Sequence, residues 1–483
     1  MVRVLRAACF VALALAAPAA RASAAPEPAS MRAPAARGAV APADAALTAR
    51  PRSVIFMIPD GCGTAAITLA RDFAGRPLAL DSMLVGAVET HSADSKVTDS
   101  AAAGTAYATG EKTDNRMLGV DPEGRPLGTL LEAAQARGLA TGLVTTADLT
   151  DATPAAFVAH VARRTLQDSI ALALVEHRVD VLMGGDRQRW RPVSAGGRRK
   201  DGRDLLAEVR ARGGAVVTTR AELQAARSSP LLGLFGAGTS QMDLEIDRDT
   251  LSEPSLDEMT TKALELLGSS PRGFFLMIEG GRIDDAAHDN DPAAVIRDVL
   301  EFDRAVARAR AFARRHPDVL VVSAADHETG GLGLGRRVGR ESPYVLYPES
   351  LATARASVWR MSDSILAGGD PVGVALRGTG MAPLLAEEET GLRAAAAAED
   401  TVRRFALLRA LSAIESRRAH LGWSTGGHTG VDVGLYAFGP GREEFIGLHE
   451  NTEIAWRIAR LLGLDLAAET ARLRHDTPAS HAR

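Results

Sequence analysis

Short, mainly apolar runs that alternate with longer amphipathic stretches are the feature of this sequence that most restricts its fold. The apolar runs are 53–58, 140–145, 179–183, 273–278, 319–323 and 434–438, and the amphipathic stretches include 129–137, 166–177, 292–313 and 452–462. Strands with one solvated face alternate polar and apolar residues, so continuous apolar runs indicate a sheet covered on both faces. The sequence therefore predicts an α/β fold, a three-layer α/β/α sandwich around a central, mostly parallel sheet.

One segment in the second half of the chain interrupts this alternation. Residues 332–421 contain Gly- and Pro-rich stretches, followed by an Ala/Glu/Arg pattern from Leu384 to Arg418. Because an apolar run returns at 434–438, we interpret 332–421 as a smaller inserted subdomain that ends in a helix leading back to the sheet. The whole folded domain is predicted to span 51–470, followed by a polar tail at 471–483.

The first 24 residues have the layout of a secretory signal peptide, with basic residues, an apolar run at 7–17 and small residues at 22–24. That run of eleven residues is short for an uncleaved anchor, since a spanning helix needs roughly 20. We predict cleavage after Ala24, giving a periplasmic or secreted protein without a membrane anchor. Residues 25–50, rich in Ala and Pro, are predicted to be a disordered lead-in.

The charge balance of the chain is acidic. The full chain has a formal charge of -4, and cleavage after Ala24 would remove three arginines and no acids, giving -4 minus 3, or -7. This balance disfavours nucleic acid and anionic lipid as partners. Cys62 is the only cysteine of the mature chain, which rules out an intramolecular disulfide. Stability must therefore come from packing and from bound metal.

Acidic residues and histidines follow several predicted strands. Asp60 comes after the run at 53–58, Glu279 after the run at 273–278, and Asp326 with His327 after the run at 319–323. The carboxyl ends of parallel strands meet at one edge of a sheet, where ligands bind. Carboxylates gathered there would repel one another without cations, so the pattern predicts a metal cluster.

Four further residues fit such a cluster. The Asp284–His288 spacing of four places both side chains on one face of a helical turn, and Asp151 lies in a loop next to a predicted strand. His428 stands among glycines that allow close approach. Each signal is weak by itself, because an Asp after a strand is often a helix cap and a loop His is commonly a surface residue.

Ser100 is a candidate nucleophile that also has a plain structural interpretation. Thr98-Asp-Ser, followed by three alanines, could begin a helix that ends near Gly110. Both interpretations are compatible, because the positive end of a helix dipole favours an anion such as phosphate. Serine needs a base or a cation to become nucleophilic, and with no histidine nearby in sequence a bound metal is the simpler activator.

Together these residues resemble the alkaline phosphatase family, and the resemblance extends over most of the mature chain. The matching blocks, in family order, are Met57–Gly61, Val97–Thr105, Asp151–Arg164, Glu279–His288, and Ala325–Gly331 with Gly427–Asp432. The resemblance implies hydrolysis of phosphate monoesters through a phosphoserine on Ser100, assisted by two zinc ions and one magnesium ion per chain. It also implies broad substrate specificity, and homodimers are common in the family.

The resemblance also implies roles for individual residues. Asp284, His288 and His428 would hold one zinc ion, and Asp60, Asp326 and His327 a second one beside Ser100. Asp60, Asp151, Thr153 and Glu279 would hold the third ion, usually magnesium. Arg164 would bind two oxygens of the phosphoryl group, and its neighbour Arg163 is the competing candidate for that role.

Asp285 is where this sequence departs from the family, because well-known relatives have lysine, histidine or tryptophan at that position. A carboxylate near the bound phosphate would weaken anion binding, which makes Asp285 a candidate substrate-binding residue. Alternatively, Asp285 points to solvent or holds a metal-bound water.

Two other functions are compatible with part of this pattern. A phosphodiesterase or sulfatase of the same superfamily would share the two-metal sheet edge, although the sulfatase nucleophile motif is absent around Ser100. A non-catalytic periplasmic protein that binds phosphate or metal is the alternative from another class. The presence of Ser100 argues against it, because binding alone does not require a nucleophile.

Overall fold

The structure is a computed structural model that describes residues 50–236, 242–337 and 344–476, all in one compact unit. The predicted signal peptide, the lead-in up to residue 49 and the last part of the predicted tail lie outside these residues. Among the described helices, none has both the length and the apolar character required to cross a bilayer.

The strands form one large sheet and two small ones. They are β1 (Ser53–Ile58), β2 (Leu84–Glu89), β3 (Ala140–Asp148), β4 (Val181–Gly185), β5 (Ala215–Val217), β6 (Leu231–Leu234), β7 (Phe274–Glu279), β8 (Val319–Ala324), β9 (Glu328–Thr329), β10 (Leu332–Leu334), β11 (Leu421–Trp423), β12 (His428–Thr429), β13 (Val433–Phe438) and β14 (Gly447–Glu450). The large sheet has the order β14-β2-β13-β8-β1-β7-β3-β4-β6-β5, and β13 is its one described strand that runs antiparallel to its neighbours. The antiparallel pairs β9-β12 and β10-β11 form the small sheets.

Helices cover both sides of the large sheet, which confirms the predicted three-layer α/β/α architecture. They are α1 (Thr64–Ala74), α2 (Ser100–Thr109), α3 (Leu130–Ala136), α4 (Ala152–Ala155), α5 (Gln167–Glu176), α6 (Leu205–Ala211), α7 (Arg220–Ala225), α8 (Leu256–Leu267), α9 (Arg282–His288), α10 (Pro292–Arg315), α11 (Val358–Leu366), α12 (Pro371–Thr379), α13 (Ala386–Ala396), α14 (Asp400–Ala419), α15 (Asn451–Leu462) and α16 (Leu466–Asp476). The last of these extends into the region predicted as a polar tail.

Three neighbouring strands at the centre of the sheet, β8, β1 and β7, are buried along their whole length. Buried strands of this kind need apolar residues on both faces, which explains why their sequences do not alternate. Their parallel register pairs Ile58 with Glu279 and Met57 with Ser323. The three strands therefore end at the same level, and the residues that follow them meet at one edge of the sheet.

Residues 332–421 contribute most of a second hydrophobic cluster, which includes buried side chains of α11 to α14. Leu69 of α1 and Ile296 of α10 also belong to this cluster, so it is continuous with the helices that cover the sheet. Asp291 adds a polar link, because its carboxylate accepts hydrogen bonds from the backbone N–H groups of Ala294 and Val358. The inserted subdomain itself stays a prediction, and the pattern from Leu384 to Arg418 forms two helices, α13 and α14.

Phe302 of α10 is expected to be important for stability, because its fully buried ring packs against Gly280, directly after β7. Phe302→Ala should lower the free energy of unfolding by about 3–5 kcal/mol, since it leaves a cavity. Phe405→Ala is the matched control, because Phe405 is 60% exposed, and it should cost at most about 0.5 kcal/mol. Urea unfolding at one fixed metal concentration measures both values, and equal losses in the two variants would contradict this packing argument.

Candidate active site

Three carboxylates meet where the central strands end. Asp60 follows β1, Glu279 is the last residue of β7 and Asp326 follows β8. Each of these three residues is at most 4% exposed. Gly61 has a positive φ of 68°, which lets its N–H donate to Asp326 Oδ1 at 3.1 Å. A Cβ at this position would collide with Asp284, so the close packing of the acids requires glycine here.

Ser100 lies beside these acids at the first position of α2. Asp99 is the N-cap of the helix and accepts a hydrogen bond from the N–H of Ala102 at 3.0 Å. The Tyr107 hydroxyl donates to the carbonyl of Ala325 at 2.6 Å, which ties α2 to the end of β8. Ser100 is only 3% exposed, and its Oγ is 3.2 Å from His327 Nε2. The helix cap and the predicted nucleophile are therefore adjacent residues, Asp99 and Ser100.

His327 connects the serine to the carboxylates. Its Nε2 is 3.2 Å from Asp326 Oδ2 and 3.6 Å from Asp60 Oδ1. Its Nδ1 is 3.2 Å from the hydroxyl of Thr329, which in turn donates to Asp284 Oδ1 at 2.5 Å. The Thr329 hydroxyl gives its hydrogen to Asp284, so it can only accept from His327. The hydrogen of His327 is therefore on Nδ1, and its Nε2 presents a lone pair to Ser100 and the acids.

A second group contains Asp284, His288 and His428. Asp284 Oδ2 is 3.2 Å from His288 Nε2, one turn further along α9, and the Nε2 atoms of the two histidines are 3.2 Å apart. His288 Nδ1 lies 2.8 Å from the carbonyl of Gly426, and His428 Nδ1 lies 2.8 Å from that of Thr98.

These backbone contacts determine the tautomers. Because a carbonyl only accepts, each Nδ1 carries the hydrogen, and each Nε2 presents a lone pair to the same space. Two facing lone pairs beside a carboxylate need a cation between them. Asp284, His327 and His428, and likewise Asp60, Asp326 and His327, bring their ligand atoms within 4.8 Å of one another. The side chains thus fit two metal ions.

The residues predicted for a third ion are only partly gathered. The Thr153 hydroxyl donates to Asp60 Oδ2 at 3.2 Å, and the Thr145 hydroxyl donates to Glu279 Oε2. Asp151 caps α4, and its Oδ1 accepts from Arg164 Nη2 at 2.7 Å. Glu279 Oε1 is buried, and no residue in the described part of the chain forms a hydrogen bond with it. This all-oxygen set suits a hard cation such as magnesium.

Arg164 lies between two carboxylates at the mouth of the site. Its Nη1 is 3.3 Å from Asp99 Oδ2, and its Nη2 bonds to Asp151, while its side chain is 25% exposed. These contacts hold the guanidinium next to the helix that begins with Ser100. Arg163, the competing candidate, is exposed. Arg164 lines an open cleft of about 700 Å³ together with Arg116 and Arg189.

Asp285 forms an ion pair that was not predicted from the sequence. Its Oδ2 is 2.5 Å from Arg282 Nη1, and the carboxylate is 41% exposed. The spacing of three within one helix could have indicated this pair. Thr329 was also missed, although its position two residues after His327 on an extended segment indicates a shared face.

The buried acids are poorly satisfied by protein groups alone. Asp60 Oδ1 and Asp326 Oδ2 have no hydrogen-bond partner among the described residues. Burial, followed by the charge of Asp326, raises the pKa of Asp60, and burial with the charge of Asp284 raises the pKa of Asp326 to about 6. Burial likewise raises the pKa of Glu279 to about 8. Bound cations would stabilise all three as carboxylates.

Comparison with known proteins identifies the family of this chain. A family model described as alkaline phosphatase matches residues 51–464. Repressible alkaline phosphatase from Saccharomyces cerevisiae is 36% identical over 477 residues, which cover 88% of this chain and 84% of that protein. Alkaline phosphatase 4 of Bacillus subtilis is 37% identical over 430 residues, covering 86% and 89%.

Among solved structures, that of Thermus thermophilus alkaline phosphatase has a TM-score of 0.78 and 31% identity, covering 89% of this chain and 96% of that one. The structure of the cold-active alkaline phosphatase of a Shewanella species has a TM-score of 0.76 and 33% identity, covering 85% and 99%. Sequence and fold are similar to these relatives over most of the chain. The chain therefore belongs to the alkaline phosphatase family, which is metal-dependent, and is a phosphoric monoester hydrolase.

Proposed function

We propose that this chain hydrolyses phosphate monoesters through a phosphoserine formed on Ser100. The observation that carries the proposal is the position of Ser100 Oγ, at the start of a buried helix and 3.2 Å from His327 Nε2. This atom therefore borders a set of side chains suited to a metal ion. A nucleophile, a cation site and a guanidinium within one cleft are the parts that phosphoryl transfer requires.

The metal ligands are assigned by the chemistry of their donor atoms. Asp284, His288 and His428 would hold one zinc ion, and Asp60, Asp326 and His327 the other, because imidazole nitrogen suits zinc. Asp60, Asp151, Thr153 and Glu279 would hold magnesium. A relative from the Antarctic bacterium TAB5, 27% identical, binds Mg in its M3 site as a histidine-to-aspartate mutant, which supports this third assignment. When bound, the ions would stabilise negative charge on the attacking and leaving oxygens.

The reaction then follows from the protein side chains. Ser100 Oγ attacks phosphorus and the alcohol leaves, which gives the phosphoserine. Water attacks the phosphoserine in the second step, releases inorganic phosphate and restores the hydroxyl. The positive end of α2 favours the anion in both steps.

Arg164 would bind two non-bridging oxygens of the phosphoryl group. Its planar fork matches that geometry, and Asp99 and Asp151 hold it in place before substrate arrives. Burial opposes its charge, but the adjacent carboxylates raise the pKa of Arg164 further, so it stays cationic. The cleft beside it is open to solvent. We therefore expect recognition of the phosphoryl group with little selection for the alcohol.

The phosphoserine can be tested by trapping. Incubation with labelled inorganic phosphate at acidic pH should leave label on the wild-type protein and none on Ser100→Ala. The same variant should lose at least about 10³-fold in kcat on p-nitrophenyl phosphate, because no other group replaces the nucleophile. Ser269→Ala, which changes an exposed serine far along the sequence, is the control and should behave as wild type.

Rates on p-nitrophenyl phosphate and on its bis-ester test the reaction class. A higher kcat/KM on the monoester is expected, and a preference for the diester would favour a phosphodiesterase. An active monoesterase that retains its rate in Ser100→Ala would contradict the phosphoserine. Absence of any turnover by the metal-loaded wild type would favour the non-catalytic binding protein.

Removing the metal ions should make the stability of the protein fall as pH rises. Asp326 and Glu279, with pKa values of about 6 and about 8 in the fold, titrate near ~4 when unfolded. Between these values the folded protein holds more protons than the unfolded chain. Each pH unit therefore removes roughly 1 kcal/mol per group, and the stabilisation present at about pH 4 is lost by about pH 8.

Urea unfolding of the chelated protein across this pH range measures the effect. Adding zinc and magnesium should abolish the decline, and Glu279→Gln should remove the part of it above about pH 6. A chelated protein as stable at high pH as at low pH would contradict the assignment of these raised pKa values.

Asp285→Lys should tighten inhibition by inorganic phosphate about threefold to tenfold. The change removes a negative charge and adds a positive one next to Arg282, with which Asp285 forms an ion pair. The inhibition constant is measured against p-nitrophenyl phosphate, with Asp285→Asn as the control that removes charge without adding any. An unchanged constant in the lysine variant would mean that Asp285 does not act on the bound anion.

A further inference from the structure

Glu132, His160 and His177 form a second polar cluster that the proposed reaction does not use. Glu132 belongs to the first turn of α3, His160 follows α4, and His177 is the C-cap of α5. The Nε2 atoms of both histidines lie 3.0 Å from the same oxygen, Glu132 Oε1. The Glu132 side chain is 2% exposed, and those of His160 and His177 are 17% and 23% exposed.

The hydrogen bonds around this cluster leave three ligand atoms facing one another. His160 Nδ1 is 2.7 Å from the carbonyl of Gly119, and His177 Nδ1 is 2.9 Å from that of Ala173. Each Nδ1 must therefore carry a hydrogen, because a carbonyl only accepts. The other oxygen of Glu132, Oε2, accepts from the backbone N–H of Thr129 at 3.0 Å.

A carboxylate oxygen and a neutral Nε2 are both acceptors, so each of these contacts needs a cation. Two protons, one on each ring, would satisfy the geometry, and so would a single divalent ion shared by all three ligands. The tautomers of His288 and His428 in the active site are set in the same way. Backbone acceptors at Nδ1 are the usual support for histidines that bind a metal through Nε2.

We propose that Glu132, His160 and His177 bind a zinc-type divalent ion outside the active site, with water as the fourth ligand. Two histidines and one glutamate are an established zinc donor set. Ligand atoms around a tetrahedral zinc ion, with bonds near 2.0 Å, are about 3.3 Å apart. The observed distances of 3.0 Å require only a small opening, and all three ligand atoms lie within 4.8 Å of one another.

The surroundings of the cluster allow such an ion. The guanidinium of Arg472 interacts electrostatically with Glu132 from a distance, but its hydrogen bond, at 2.9 Å, is to Glu469. Both histidine side chains are partly exposed, so water has access to these rings. One carboxylate and two neutral rings carry a net charge of -1. A divalent cation would therefore compensate the charge of the buried carboxylate.

The ion would stabilise the segment that presents the phosphate-binding arginine. His160 lies four residues before Arg164, and the backbone between them pairs with 116–118, through Val161 with Leu118 and Arg164 with Arg116. Joining His160 to α3 and α5 would hold this segment against two helices. The role is structural, so its loss should lower stability more than turnover.

Zinc content per chain tests the proposal. Wild type and His177→Gln are dialysed against the same buffered free zinc with magnesium present, and bound metal is counted by mass spectrometry. Wild type should hold one more zinc ion per chain, and its thermal midpoint should rise more on zinc addition. This difference does not depend on how many ions the active site holds, so it can fail while the proposed function stands.

Two further variants make the result decisive. Glu132→Gln keeps the helix cap, because glutamine replaces glutamate in a capping box, and it should also lose one zinc ion. His449→Gln, which changes a buried histidine whose Nδ1 lies 3.3 Å from Glu453 Oε2, is the matched control and should keep the wild-type count. Turnover of p-nitrophenyl phosphate within about twofold of wild type reports correct folding. Equal zinc counts in wild type, His177→Gln and Glu132→Gln would overturn the proposal in favour of a proton-bridged triad.

Discussion

Negative charge confined to the edge of a buried sheet is the constraint on which the rest of this structure depends. Asp60, Glu279 and Asp326 lose nearly all their water on folding, and they also repel one another. Isolated buried carboxylates are too costly to persist as ions. Three fully buried parallel strands provide a support rigid enough to hold the acids together. Cations then turn an unfavourable cluster into a binding site.

The orientation of the histidine rings is the second constraint on this site. His428 receives its support from the carbonyl of Thr98, two residues before Ser100, and His288 receives its support from Gly426, two residues before His428. The segment that carries the proposed nucleophile therefore also orients a proposed metal ligand. Because these contacts are between distant parts of the chain, a displacement of α2 would disturb the histidines and the serine together. Every residue of α2 is buried, and this packing limits such a displacement.

The strand-end rule explains how much of this could be predicted from the sequence. Strand ends follow from apolar runs, so the positions of Asp60, Glu279 and Asp326 could be inferred without a structure. The antiparallel direction of β13 could not, because a strand has the same apolar pattern in either direction. The break between α13 and α14 was also missed, since Ala- and Glu-rich sequence favours helix throughout. Pairs such as Arg164 with Asp99 depend on tertiary contact and leave no local pattern.

Asp151 can couple phosphate binding by Arg164 to the binding of the proposed third ion. Its Oδ1 accepts from Arg164 and from the N–H of Ala152, so both of these bonds end on one oxygen. Oδ2 is then the oxygen left for a cation shared with Asp60 and Glu279. An ion bound there would draw charge from the carboxylate and weaken its hold on Arg164. The guanidinium would become freer to bind phosphate when the metal is present, which makes one carboxylate the link between metal occupancy and substrate binding.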